Sequence, residues 1–209
     1  MLNRFDTLIT EFDTGLRTLF AKPHSVRIHP DANIAEVNLT EAEKKQASAL
    51  MRVNHTGEVC AQALYSGQSL TSKNPETNTA LKQAALEETE HLAWCEARIT
   101  ELGGRTSLLN PLFYLGSFSI GAIAGAVGDK WSLGFVEETE KQVGEHLANH
   151  LQKLPQADEK TRRIIEQMQQ DEAKHANDAK QQGAAELPAP VKFLMKQVSK
   201  LMTTSTYYL

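Results

Sequence analysis

Cysteine is nearly missing from this chain of 209 residues, which holds only Cys60 and Cys95. Two thiols without spaced partners exclude a disulfide framework and an iron-sulfur ligand set. Both are expected to fill core space, with Cys95 one helical turn after His91. The N-terminus lacks a secretory signal pattern, so a reducing cytosolic compartment is the expectation. There is no basic excess either. A formal net charge of -4 offers no footprint for phosphate backbones, and no nucleic-acid partner is expected. A glycine-rich dinucleotide fingerprint is also lacking, so the chain carries no recognisable reductase of its own. What remains is 41% hydrophobic and 23% charged, enough for one domain with a substantial core.

Hydrophobic spacing organises that material. Leu2, Phe5, Leu8, Ile9, Phe12, Leu16, Leu19 and Phe20 recur at helical intervals before Lys22-Pro23, predicting an amphipathic helix in an N-terminal arm, residues 1–39. Thr40-Glu41-Ala42-Glu43 matches a capping box, so a long helix is predicted from about Glu41 to Thr71. Asn74-Pro75 makes a turn, and a second helix runs from about Glu76 to Leu102, ending at Gly103-Gly104. Helices joined so briefly lie antiparallel. A third, about Ser132 to Leu154, and a fourth, about Ala157 to Gln182, repeat the hairpin around Pro155 and stop at Gly183.

The two hairpins repeat their chemistry as well. Glu88 is followed three positions later by His91, and Glu172 by His175. Each pair is preceded about 30 residues upstream by a glutamate in a helix-patterned segment, Glu58 and Glu140. Residues three apart share a helix face, so each Glu-x-x-His offers one carboxylate and one imidazole to the same point. Doubling gives four carboxylates and two imidazoles, the ligand set of a di-iron or di-manganese centre in a helix bundle. The predicted fold is therefore all-α, a ferritin-like four-helix bundle over residues 40–183. Its long apolar crossover, residues 103–131, lies between the second and third helices. An amphipathic tail, residues 184–209, packs on the bundle or on a membrane.

Helical phase selects among neighbouring acids, because a core-facing ligand shares the apolar stripe. Leu81, Ala84, Ala85, Glu88, His91, Leu92 and Cys95 form one stripe, with Glu87 and Glu90 flanking it. Val136, Glu140, Val143 and Leu147 form another, which sets Glu140 apart from Glu137 and Glu138. Met51, His55, Glu58, Ala61 and Tyr65 are in phase in the first helix, and Ile165, Met168, Glu172, His175 and Ala179 in the fourth. A single Glu-x-x-His is ordinarily a solvated face. Four buried unpaired carboxylates, however, would cost several kcal/mol apiece against a total stability of roughly 5–15 kcal/mol, so cations are required. Oxygen and imidazole ligands without thiolate fit iron or manganese better than structural zinc. His55, His146 and His150 are expected beside the centre or as ordinary hydrogen-bonded histidines, with a ligand role the alternative for His55; Tyr65 is expected as packing, with an electron relay or a pocket lining as its alternatives.

Leu108 to Gly128 contains no charge and is rich in large apolar side chains and glycine. It is long enough to span a bilayer. Pro111, the glycines and the return to a soluble bundle favour a shallowly inserted segment. In the tail, Val191, Leu194, Met195, Val198, Leu201 and Met202 oppose Lys192, Lys196 and Lys200, a pattern that fits an interfacial helix or packing on the bundle.

Met51-Arg52-Val53-Asn54-His55-Thr56-Gly57-Glu58, Glu88-Thr89-Glu90-His91-Leu92-Ala93-Trp94-Cys95, Gly134-Phe135-Val136-Glu137-Glu138-Thr139-Glu140, Asp171-Glu172-Ala173-Lys174-His175 and the ending Ser205-Thr206-Tyr207-Tyr208-Leu209 carry a family resemblance. Over most of the chain after about Leu39, the sequence resembles the demethoxyubiquinone hydroxylases of ubiquinone biosynthesis. The resemblance implies iron ligands at Glu58, Glu88, His91, Glu140, Glu172 and His175. It implies two iron ions, ferrous in the reduced state, with O2 as co-substrate and an external reductant, NADH. The implied reaction is hydroxylation of the ring of 2-polyprenyl-3-methyl-6-methoxy-1,4-benzoquinone by a peripheral enzyme on the cytoplasmic side of the cell membrane, with other pathway proteins as candidate partners. Two other functions compete. A ferritin- or rubrerythrin-like iron-oxidising or peroxide-reducing protein would share the ligands without needing the uncharged crossover. A metal-free membrane adaptor would leave the doubled ligands unexplained.

Overall fold

The computed structural model describes residues 4–209. Leu2, the first apolar position of the arm, lies outside the described residues. Among the described residues all regular structure is helical: α1 (Arg4–Phe20), α2 (Glu41–Thr71), α3 (Pro75–Glu101), α4 (Asn110–Val127), α5 (Asp129–Lys153), α6 (Glu159–Gln181) and α7 (Ala189–Tyr208). Helices α2, α3, α5 and α6 form the ferritin-like bundle, with extra helices at both ends of the chain.

Local chemistry sets the boundaries. The Glu43 amide donates to the Thr40 hydroxyl oxygen at 3.3 Å while the Thr40 amide donates to the Glu43 carboxylate at 2.8 Å, so the capping box starts α2 as expected. Asn74 caps α3, accepting from the Glu76 amide at 2.8 Å. Helix α6 begins two residues later than the pattern indicated, because the Asp158 carboxylate accepts from the Thr161 amide at 3.1 Å and its hydroxyl at 2.6 Å. Gly103 and Gly183 take φ of 73° and 94° just past α3 and α6, the left-handed conformation that glycine adopts at no steric cost.

The crossover is helical, and α5 begins at Asp129, inside the stretch assigned to the connection. Contacts step in register from Thr56 with Asn110 at one end to Thr71 with Ala122 at the other, so α4 runs parallel to α2. It thereby carries the chain back along the bundle from the end of α3 to the start of α5. Small residues permit the close approach. A Cβ on Gly121 would run into the Leu64 carbonyl oxygen, one on Gly67 into that of Phe118, and one on Gly125 would stand 2.7 Å from that of Gln68. The glycines therefore weld α4 to α2, while Leu112, Leu115, Ile123 and Val127 face outward.

The terminal helices flank this pair. Helix α1 docks through buried Glu11, through Gly15 against the Tyr114 ring, and through Leu19. Phe5, Ile9, Phe12 and Phe20 are left outside, each more than half exposed. Its apolar stripe thus faces away from the bundle, the reverse of a helix folded onto a core. Helix α7 packs on α2 and α5, held by Arg52 donating to the Tyr207 carbonyl at 3.0 Å. Its Phe193, Leu194 and Leu201 remain exposed. Lys192, one of the three lysines of its polar face, lies 3.5 Å from both Glu138 and Glu186.

Among the described residues, two apolar clusters fill the interior between the four bundle helices, and a third, with Val59, Ala63, Leu92 and Tyr114, lies under α4. Met51, Trp94, Cys95, Leu147, Ile165 and Met168 belong to one of the first two, and Ala61, Tyr65, Leu81, Val136 and Ala179 to the other. The Cys95 thiol meets Met168 sulfur at 3.8 Å, a core role as expected.

Candidate metal centre

Between the two clusters the four bundle helices bring six polar side chains together. Glu58 comes from α2, Glu88 and His91 from α3, Glu140 from α5, and Glu172 and His175 from α6. Ligand atoms of Glu58, Glu88, His91 and Glu172 all lie within 4.8 Å of one another. His91 Nδ1 is 3.0 Å from Glu88, 3.3 Å from Glu172 and 3.6 Å from Glu58. His175 Nδ1 is 3.2 Å from Glu88 and 3.4 Å from Glu172. Glu140 completes the group, buried close enough for Glu172, Glu88 and His175 to act on its charge. All four glutamates are almost completely buried. Glu137 instead pairs with Lys141 at 2.5 Å, and Glu138 accepts from Gln142 at 2.8 Å, both away from the cluster.

Each imidazole is also held from behind. His91 Nε2 lies 3.0 Å from Asp171 Oδ2, and His175 Nε2 lies 3.0 Å from Glu87 Oε2. The two holders are related by sequence: Glu87 precedes Glu88 and grips the histidine of α6, while Asp171 precedes Glu172 and grips that of α3. A carboxylate behind a histidine fixes its tautomer and turns Nδ1 toward the cluster. Three more residues depart from the sequence reading. Tyr65 is not mere packing, since its hydroxyl donates to Glu140 Oε1. Glu90, read as flanking, is buried and accepts from the Val26 amide at 2.9 Å. Arg27, which no pattern singled out, donates to Asp171 at 2.7 Å. His55 is buried with Nδ1 3.4 Å from the Asn110 amide nitrogen, and the His146 and His150 rings pack edge to face with centroids 3.9 Å apart.

The electrostatics are those of a cation site. Burial pushes Glu58 and Glu140 well above the usual carboxylate range, and neighbouring carboxylates, Glu88 beside Glu58 and Glu172 beside Glu140, push them further. Burial works the same way on Glu88, but His91 and His175 outweigh it and hold that carboxyl well below its ordinary value. Burial opposes charge on His91 and His175, yet the carboxylates raise both, His175 to about 12. Protons thus serve as the counter-ions of this cluster. Glu88 Oε1, both oxygens of Glu172 and His175 Nδ1 are nevertheless buried without any hydrogen-bond partner. Unsatisfied buried acceptors and an imidazole nitrogen converging on one point are what divalent cations with oxygen and nitrogen preferences satisfy. The residues therefore fit a metal ion, and Glu58, Glu88, His91 and Glu172 are close enough together to share one.

Two openings approach the cluster. An apolar groove of about 260 Å³ runs between α2, α4, α5 and α7, lined among others by Cys60, Leu64, Phe113, Val143, Leu194 and Met202. A narrower space of about 30 Å³ shares Gly57, Val143 and Met202 with it and reaches Glu58 and His146. On the opposite side, a cavity of about 140 Å³ is bordered by Tyr65, Glu87, Lys174 and His175.

Residues 45–206 match the family model described as ubiquinone biosynthesis protein COQ7. The chain belongs to the COQ7 family. It is 61% identical over 202 residues to the 3-demethoxyubiquinol 3-hydroxylase of Chromobacterium violaceum, covering 97% of this chain and 98% of that one. A protein of the same name from Laribacter hongkongensis is 57% identical over 204 residues, covering 98% and 99% of the two chains. Another, from Nitrosomonas europaea, is 56% identical over 208 residues and covers both chains in full. The COQ7 match includes all six clustered residues, whereas Arg27 and α1 lie outside it.

Proposed function

We propose that this protein is a di-iron, O2-dependent monooxygenase that hydroxylates the ring of 2-polyprenyl-3-methyl-6-methoxy-1,4-benzoquinone in ubiquinone biosynthesis. The relatives' names specify the quinol, which carries two electrons and two protons more than the quinone. The observation that carries the reading is the cluster of buried, unsatisfied ligand atoms at the inner end of an apolar groove. Glu58, Glu88, His91, Glu140, Glu172 and His175 would hold two iron ions, with one imidazole for each half of the bundle. When bound, the ferrous pair supplies the redox chemistry that activates O2.

The chain's own residues supply the rest. A ring C–H, O2, two electrons and two protons give C–OH and water, with the electrons drawn from an external reductant, NADH in this proposal. The groove between α4 and α7 accepts an apolar tail and excludes water from the ring. Asp171 and Glu87 orient the imidazoles, and the Tyr65 hydroxyl holds Glu140 in place.

A polyprenyl substrate resides in lipid, which gives the outward faces of the helices a role. Leu112, Leu115 and Ile123 of α4 and Phe193, Leu194 and Leu201 of α7 are exposed on the two helices that border the groove. The proposal places this surface against the cytoplasmic side of the cell membrane as a peripheral contact, with Lys196 and Lys200 exposed on α7 beside it. Helix α4 is long and apolar enough to cross a membrane, but its glycine face is committed to α2. In this reading, residues 1–39 are an arm, 40–183 the catalytic bundle and 184–209 a tail that walls the groove.

The test is to incubate anaerobically iron-loaded protein with a short-tailed demethoxyquinone or its quinol, NADH and isotopically labelled O2. A hydroxylated ring bearing the label is the expected product. Unchanged quinone alongside normal iron oxidation would assign the centre to iron storage or peroxide reduction instead.

A further inference from the structure

Residues 21–39 join α1 to α2 without forming a helix, and they cross the outside of α3 and α6. Polar contacts pin them there. The Val26 amide donates to Glu90 at 2.9 Å and the Arg27 amide at 3.3 Å, while the Ser25 hydroxyl donates to Glu90 and accepts from Trp94 Nε1 at 3.0 Å. Farther along, Glu36 pairs with buried Arg98 at 2.5 Å. Between these anchors the Arg27 side chain lies against the bundle surface, more than a third exposed. Its guanidinium lies 4.5 Å over the Trp94 ring and donates to Asp171 Oδ2 at 2.7 Å, the same oxygen that meets His91 Nε2 at 3.0 Å. The other oxygen, Oδ1, accepts from Gln167 at 3.1 Å.

The His175 half is built differently. Its holder, Glu87, is partnered by Lys174 at 3.2 Å, an exposed lysine on His175's own helix, and it borders the 140 Å³ cavity. The carboxylate behind one imidazole is therefore braced from a remote segment, and the carboxylate behind the other by a lysine of that histidine's own helix, at an opening.

We propose that residues 21–39 form a strap closing the His91 half of the metal centre, with Arg27 a positioning residue that fixes the His91 ring through Asp171. The proposal rests on the reading that His91 and His175 serve different ions of a pair. A planar guanidinium suits the task, because it stacks on an indole while presenting directed donors to a carboxylate, which an ammonium cannot do.

Metal-free full-length protein titrated with Co2+ tests this by resolving two affinities spectroscopically. Arg27→Gln is expected to weaken one Co2+ affinity by about 10–100-fold and leave the other unchanged, with Arg27→Lys recovering part of the loss. Two unchanged affinities, or an equal loss at both sites, would overturn the proposal. Should Arg27→Gln fail to fold, Arg27→Lys decides: a loss confined to one site supports the strap, and two wild-type affinities reject it. Unaltered protein that binds no pair of Co2+ ions would instead remove the ligand reading beneath it.

Discussion

Tyr65 of α2 donates its hydroxyl hydrogen to Glu140 of α5, tying one carboxylate of the cluster to a helix that contributes another. Phenylalanine would keep the ring's packing among Leu81, Val136 and Ala179 and remove only that donor. Tyr65→Phe is therefore expected to fold normally and to lower metal affinity by about 10–100-fold, as loss of an outer partner does elsewhere. Anaerobic iron titration checks it, and wild-type affinity would mean that Glu140 needs no anchor.

Removing a carboxylate has opposite consequences with and without metal. Glu172→Ala is expected to abolish stoichiometric binding of two metal ions and turnover. The metal-free variant should nevertheless melt no lower than metal-free wild type, since it removes one of four crowded buried carboxyl groups, neither of whose oxygens accepts a hydrogen bond. Metal analysis and paired melting curves settle both halves. Two tightly bound ions with full turnover would strike Glu172 from the ligands.

Loading the site must expel protons. Glu58, Glu140, His91 and His175 all have raised values, so the metal-free cluster keeps protons to higher pH than free side chains would, on groups that must lose them to bind metal. Filling the centre should therefore release protons, and affinity should climb with pH. The metal-free fold should respond the other way. Each raised group keeps its proton above the pH at which the unfolded chain gives it up. Its contribution is complete below the unfolded value, 4.5 for the carboxyls, and is lost as pH rises through the folded one. Calorimetry in buffers of different ionisation enthalpy measures the release, and zero release would contradict this charge assignment.

The α2–α4 contact makes a contrasting pair of substitutions informative. Gly121→Ala drives a methyl group into the Leu64 carbonyl and should cost about 1–3 kcal/mol, as overpacking does. Gly116→Ala, in the same helix, meets nothing within 4 Å and should stabilise by about 0.5–1 kcal/mol through helix propensity. Thermal or urea unfolding distinguishes them, and equal effects would mean that the two helices separate easily.

Four bundle helices and the six clustered positions were legible in the sequence because helical phase couples a residue's type to the face it occupies. Glu140 could be told from Glu137 and Glu138 on that ground alone. Phase says nothing about which aperiodic segment will cover a helix, so it places Glu90 at the flank of the stripe, whereas residues 25–27 bury it. It was equally silent on the outward stripe of α1, which looks the same from sequence whichever way the helix rolls. The bond from Tyr65 to Glu140 is hidden for another reason, because an aromatic in an apolar stripe has an ordinary explanation in packing. A signal for the imidazole holders did exist: the doublets Glu87-Glu88 and Asp171-Glu172 repeat at matching places in the two hairpins, just as the Glu-x-x-His units do.

Helix α2 supplies Glu58 on one face and receives the glycine face of α4 on another. With no side-chain cushion between those two backbones, a push or pull on the outer helix has little slack to dissipate in before it reaches the carboxylate. The apolar exterior of α4 and the buried carboxylate of α2 thus sit on two backbones in direct contact, so a displacement of the outer helix is handed on to the inner one.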